Sequence, residues 1–186
     1  MIANQYTTLQ PDLGFSPPSN AYLSHADLSK AEVWFPLKVL VCQKCWLVQT
    51  LDFHAESDVF TESYAYFSST STSWVEHSRI FAEKSIKEFG LRANSFVIEV
   101  ASNDGYLLQH FKENGIPHLG IEPTKSTAQA AISKGIETIT EFLNPQLAQK
   151  VIGIYKKADL VIGNNVFAHV PDIRGFSDSL ALLMSE

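Results

Sequence analysis

From residue 96 onward, short apolar runs alternate with amphipathic stretches, and this alternation limits the fold more than any other feature of the chain. Residues 96–100, 118–121, 137–140 and 158–162 have the length and apolar content of strands. Residues 105–114, 126–134, a stretch opened by Asn144-Pro145, and residues 173–184 have the spacing of helices. Gly115 and Gly135 stop the first two, and the Asn-Pro pair is an N-cap followed by proline at the first helical position. Strand–helix alternation of this kind predicts α/β architecture, a parallel sheet with right-handed crossovers. Four strands make one half of a doubly wound sheet. Such sheets bind ligands beyond the carboxyl ends of their strands, where the strand order reverses.

The first third of the chain reads differently. Residues 1–60 hold four of the eight prolines (Pro11, Pro17, Pro18, Pro36), both cysteines, and short β-like runs at 37–41 and 46–48. They predict a small, irregular, strand-poor unit. Residues 61–73 are rich in Ser, Thr and Tyr and read as a linker. A helix over 74–89 follows, with Ser73 as N-cap, Glu76 completing a capping box and Gly90 ending it. The expected organisation is therefore a unit at 1–60, a linker at 61–73 and an α/β unit at 74–186. A net charge of −6 without any Lys/Arg cluster argues against a nucleic-acid partner. No apolar run approaches the ~18 residues that cross a bilayer, and the first residues lack the basic and apolar regions of a signal peptide. A lone C-x-x-C in an otherwise cysteine-free chain fits a cytoplasmic protein, where such pairs bind metal or do redox chemistry.

The turn after the first α/β strand carries the chemistry. Glu99 closes the strand, and Ala101-Ser102-Asn103-Asp104-Gly105 leads into the helix with a single glycine. Dinucleotide folds place several glycines here so that backbone can approach a diphosphate. Either this turn is a cofactor loop, or Asn103 or Asp104 simply caps a helix. Glu122, in GIEP at the end of the second strand, is either a solvated strand-end carboxylate or stands where an acid accepts both hydroxyls of a ribose. Together they point to a ligand with a ribose and no phosphate. S-adenosyl-L-methionine fits, its charged amino-acid end held by groups such as Glu99 and Asp104.

The loop after the fourth strand offers Asn164, Asn165, His169 and Asp172, and His169 either acts as a general acid or base or simply caps or packs. Tyr64 and Tyr66 either present phenols to a substrate or pack against the following helix. Glu141 and Phe142, past the third strand, either line an adenine pocket or serve the core. Cys42 and Cys45 have the spacing of half a tetrahedral zinc site, and His25 and His54 are the nearby candidates to add to it, without supporting spacing.

These pieces resemble, in this order, the sugar C-methyltransferases of deoxysugar and surface-glycan pathways. The match rests on DLGFSPPSNAYL (12–23), LVCQKCWLVQ (40–49), YAYFSSTSTSWVEH (64–77), EVASNDGYLLQHF (99–111), GIPHLGIEP (115–123) and NNVFAHVPD (164–172). The resemblance implies an N-terminal zinc-binding domain and a Rossmann-like class I methyltransferase domain. It implies that Glu99, Ala101, Asn103, Gly105 and Glu122 bind S-adenosylmethionine, and that Tyr64, Tyr66 and His169 line the site of a nucleotide-linked sugar. The reaction it implies is methylation of the carbon next to a ketone, through an enolate. The family's pattern extends beyond both ends of this sequence, with a second cysteine pair upstream and further strands downstream. A partial domain, an incomplete zinc site and a chain not competent alone are the resulting expectations.

Two other readings stay open. One is a non-catalytic binding or oligomerising module, with a second copy or a partner chain covering an open sheet edge. The other is a nicotinamide-dependent enzyme, against which the absence of G-x-G-x-x-G counts.

Overall fold

The computed structural model describes residues 6–50, 60 and 64–184, with the side chains of residues 6–11 excepted. His54 and residues 61–63 of the expected linker lie outside the described residues. The chain divides into two compact units, Met1–Val59 and Phe60–Glu186.

The first unit is a three-stranded antiparallel sheet in the order β1 (Tyr6–Ser16), β2 (Phe35–Cys42), β3 (Val48–Thr50). The sequence predicted a strand-poor unit here, and an eleven-residue strand corrects that reading. Pro11 and Gly14 obscured it, because neither suits a regular ladder. They are tolerated because β1 lies at the sheet edge and breaks register twice, between Thr8 and Asp12 and between Asp12 and Phe15. Gly14 takes φ +74° and its amide donates to Asp12 Oδ1 at 2.9 Å, which fixes the second irregularity. β2 and β3 form a hairpin closed by Cys42 N–H to Leu47 O and Trp46 N–H to Cys42 O, both 2.9 Å.

The second unit opens with a single 3₁₀ turn (Ser68–Thr70) and α1 (Thr72–Glu88). The N-cap of α1 is Ser71, which accepts from Trp74 N–H at 3.3 Å, two residues before the Ser73 expected from sequence. A run of hydroxyl residues offers several chemically equal caps, so pattern alone does not choose among them. The sheet follows with β4 (Val97–Val100), β5 (His118–Ile121), β6 (Thr138–Ile139) and β7 (Leu160–Ile162), all parallel, in the order β6-β5-β4-β7. This is the half doubly wound sheet that the alternation predicts. The order reverses between β4 and β7. β6 and β7 are shorter than expected because each has one strand neighbour, whereas β4 and β5 have two.

Helices cover both faces, so β4 is buried along its whole length. On one face Val97 packs with Leu107, Leu108 and Phe111 around α2 (Leu108–Glu113), and with Ala131 of α3 (Lys125–Ser133). On the other, Ile98 and Val100 pack with Leu147 and Val151 of α4 (Pro145–Ile154) and with Phe176 and Leu183 of α5 (Ile173–Leu183). Asn144 caps α4 through Leu147 N–H at 2.8 Å, with Pro145 at the first helical position as expected.

Candidate functional site

α2 begins at Leu108, three residues later than the sequence spacing predicts, and the difference builds the site. Ala101 (φ +56°), Asn103 (φ +51°) and Gly105 (φ +76°) all take left-handed conformations, so residues 101–107 form an extended turn over the carboxyl end of β4. Gly105 is favoured first by its φ of +76°, which strains any side chain, and then by packing, since a Cβ there would stand 2.4 Å from Ile136 Cδ1 and 3.3 Å from the Ala131 Cβ. Its role is close approach of the turn to α3 and β6, and no phosphate cradle is needed to explain it.

Three carboxylates are buried at this end of the sheet: Glu99, Asp104 and Glu122. Glu122 follows β5 and accepts two backbone amides, Asn103 N–H to Oε2 and Thr124 N–H to Oε1, each 2.9 Å. Glu99 is fully buried, and burial pushes its carboxyl well above the usual range; the neighbouring Glu122 and Asp104 charges push the same way. The Tyr106 hydroxyl lies on the Glu99 carboxylate and opposes the shift. Yet neither Glu99 oxygen closes a well-formed hydrogen bond among the described residues, and the same holds for Asp104 Oδ1 and Ser102 Oγ. Unpartnered buried acceptors of this kind are costly unless a ligand answers them. Concentrated negative charge makes the site hostile to a diphosphate and suited to a ligand with cationic groups.

Tyr106, Trp74 and Lys134 are site residues that the sequence reading passed over. The Tyr106 hydroxyl sits among the side chains of Glu99, Asn164 and Trp74, and burial raises its pKa. Its ring stacks on Trp74 at 6.0 Å, and Trp74 stacks on His77 at 5.2 Å. Tyr106 thus joins Glu99 to Asn164 across the point where strand order reverses. In the sequence Tyr106 reads only as an early residue of the helix whose apolar side is Leu107, Leu108 and Phe111.

Residues 64–70 lie on the turn. Asn103 accepts from Ser68 N–H through Oδ1 at 2.8 Å and donates through Nδ2 to Tyr66 O at 3.0 Å. Asp104 Oδ2 accepts from Ser69 N–H at 3.3 Å and from the Ser69 hydroxyl. The Asn103 amide group and Asp104 Oδ2 are therefore committed to this segment, while Asp104 Oδ1 and the backbone of residues 101–105 stay at the strand end. Lys134 supplies the local positive charge, 3.4 Å from Asp104 Oδ2 and 2.8 Å from Asp104 O.

The remaining candidates surround this centre. Tyr64 is half-buried and Tyr66 exposed. Phe60 stands between Tyr64, at 5.4 Å, and His169, at 6.4 Å, so one aromatic cluster gathers Tyr64 with the exposed His169. His169 ends a 3₁₀ turn (Phe167–His169), and Asn165, at φ +53°, turns the loop after β7. Past β6, the Glu141 carboxylate pairs with Lys150 at 3.1 Å and Phe142 is half-buried.

In the N-terminal unit, Cys42 and Cys45 are free thiols at the hairpin. The backbone amides of Cys45 and Lys44 point at the Cys42 sulfur and, with the Cys45 thiol, hold its pKa below the usual thiol value. That is an arrangement that favours thiolate. A tetrahedral zinc site needs four donors, and among the described residues no group of three or more His, Cys, Asp or Glu converges. The pair fits half of a zinc site and does not close one; His25 is not brought to it.

Residues 4–60 match the family described as "Putative zinc binding domain". Over 172 residues, 92% of this chain, the sequence is 31% identical to C-methyltransferase NovU of Streptomyces niveus. The chain spans 41% of that relative's length. Solved structures similar to the chain include a SAM-dependent methyltransferase from Archaeoglobus fulgidus (14% identity, 58% of this chain and 48% of that one, TM-score 0.46). Another is magnesium protoporphyrin IX methyltransferase from Synechocystis PCC 6803 with bound SAM (19% identity, 61% and 57%, TM-score 0.46). The resemblance to C-methyltransferases read from the motifs thus has a counterpart in a relative that matches nearly the whole chain. No helix among the described residues is long and apolar enough to cross a membrane.

Proposed function

We propose that this chain carries the cofactor-binding part of an S-adenosylmethionine-dependent C-methyltransferase acting on a nucleotide-linked keto-deoxysugar. The observation that carries the reading is the set of three buried carboxylates at the ends of β4 and β5, with unpartnered oxygens on Glu99 and Asp104. Glu122, whose orientation is fixed by two amides, retains lone pairs for the two ribose hydroxyls. Asp104, through its open Oδ1, and Glu99, once a cationic ligand favours its ionised form, offer negative charge to the ammonium and sulfonium. The backbone of Ala101, Asn103 and Gly105 borders the methionine end, Glu141 and Phe142 border the adenine, and Asn164 and Asn165 close the far side. When bound, S-adenosylmethionine supplies an electrophilic methyl group.

His169 is the base in this reading: it takes the proton from the carbon next to the sugar ketone, leaving an enolate. Tyr64 and Tyr66 donate hydrogen bonds to the developing oxyanion and hold the sugar in line. Cys42 and Cys45 supply two thiolates toward a zinc ion in the N-terminal unit. Cytoplasmic location follows from the reduced cysteine pair and the nucleotide-linked substrate. A second reading, a binding module that associates through its surface, draws support from the exposed Trp46, Val48 and Phe15 of that unit.

Calorimetric titration with S-adenosylmethionine and, separately, with NAD tests the first reading. Saturable binding of the former, weakened roughly tenfold to a hundredfold in Glu122→Ala, is the expected result. Binding of NAD alone, or of neither ligand to folded protein, contradicts it.

A further inference from the structure

We propose that Asn103, Asp104 and Lys134 are positioning residues that latch the segment 64–70 onto the turn after β4, so that filling the cofactor site and placing Tyr64 and Tyr66 are one coupled equilibrium. The inference rests on the cofactor reading above and deepens it.

The segment is gripped at three places, each time by the turn or by α3. Ser126 Oγ, in the first turn of α3, donates to Tyr64 O at 3.1 Å. Asn103 spans Tyr66 O and Ser68 N–H, and Asp104 takes the amide and hydroxyl of Ser69. Lys134 closes the latch: its ammonium reaches Asp104 O, Asp104 Oδ2 and Ser69 Oγ, at 2.8, 3.4 and 3.4 Å. Beyond the half-buried Tyr64, which packs on Phe60, little apolar surface assists. Tyr66 and Thr70 are exposed, Phe67 is half-buried, and Ser68 is the buried residue of the 3₁₀ turn.

A segment docked mainly by polar contacts, each with a net contribution of about 1 kcal/mol, sits near balance between docked and free. The other side of the latch is the cofactor site itself. The Asn103 amide that donates to Glu122 Oε2 belongs to the residue whose side chain holds Tyr66 and Ser68. A ligand that fixes Glu122 and the left-handed turn therefore fixes the latch, and a docked latch preorganises the turn for the ligand. Linkage makes the two effects equal in size.

Amide exchange over residues 64–71, read by mass spectrometry beside calorimetry with S-adenosylhomocysteine, tests this in the full chain. Three proteins are compared: the parent, Ser69→Ala, which removes the hydroxyl from the latch without touching sheet or cores, and Lys134→Met. In the parent, the ligand is expected to slow exchange at residues 66–70 by roughly tenfold. Both variants are expected to exchange faster there without ligand and to bind S-adenosylhomocysteine about fivefold to tenfold more weakly. A purely structural role would change thermal stability and leave the ligand-dependent protection intact. Parent-like affinity in both variants, or exchange at 66–70 that ignores the ligand in a parent that binds it, overturns the coupling alone. Absence of binding to the parent, seen in the calorimetry by itself, overturns the cofactor reading and the coupling together.

Discussion

In the α/β unit, Leu107, Leu108 and Phe111 are fully buried and β4 is enclosed on both faces; in the N-terminal unit, Val41 is the one buried apolar residue among those whose side chains are described. There Trp46, Phe15 and Val48 are 75%, 63% and 58% exposed. Both regions have well-paired strands, so the difference lies in what covers the strands. Parallel strands need crossover connections, which here are helices, so each crossover brings its own covering layer. An antiparallel ribbon closes with tight turns and gathers no such layer. Small sheets of that kind draw stability from metals, cross-links or partners. That is consistent with an N-terminal unit matched to a zinc-binding family and carrying a cysteine pair in which neighbouring amides hold the Cys42 thiol below its usual pKa.

The largest expected effect sets the two regions against each other directly. Phe111→Ala, in the enclosed core, is expected to cost about 3–5 kcal/mol, whereas Trp46→Ala should stay within about 0.5 kcal/mol. Urea midpoints read by circular dichroism check both, and equal losses would break the comparison. A second effect comes from the site. Glu99 has a raised folded pKa, so the folded chain holds more protons than the unfolded one above the ordinary glutamate value. Stability is therefore full at low pH and falls as pH rises through that window, by up to about 1 kcal/mol per pH unit. Glu99→Gln should remove this slope, visible in urea midpoints from about pH 5 to about pH 8. A parent slope unchanged in the variant would place the strain elsewhere. The smallest effect is local: Asn144→Ala removes the α4 cap and should cost about 1 kcal/mol, measured by thermal melting. The N-terminal unit also has a surface 3₁₀ turn (Asp27–Ser29) in which Asp27 pairs with Lys30, and Asp27→Ala there should change the melt little.

What could be read from sequence follows the same division. Strands 118–121 and the Asn144-Pro145 helix start were legible because period, cap and burial agree there. β1 was not, because Pro11 and Gly14 break the pattern at an edge where the sheet tolerates it. At the site, Glu99, Glu122 and the single-glycine turn could be found from their places at strand ends. The side-chain work of Asn103 and Asp104 could not. Their partners lie 35 and more residues away, in a segment whose composition reads as linker. Tyr106 and Lys134 were hidden in the same way, since in the sequence each falls in a stretch with ordinary helical spacing, whereas the fold sets Tyr106 in the turn before α2 and Lys134 just past the end of α3, and each gains its role from what lies beside it there.

The central claim is that the carboxyl end of this sheet is a cofactor site for S-adenosylmethionine. Two-dimensional amide NMR of the full chain titrated with S-adenosylhomocysteine tests it most directly. Within the α/β unit, saturable shifts are expected at residues 99–106, 120–124 and their neighbours at 64–70, 139–142 and 163–166. Shifts centred instead on the groove at the opposite end of the sheet, around Lys112, His118 and Tyr155, would contradict it.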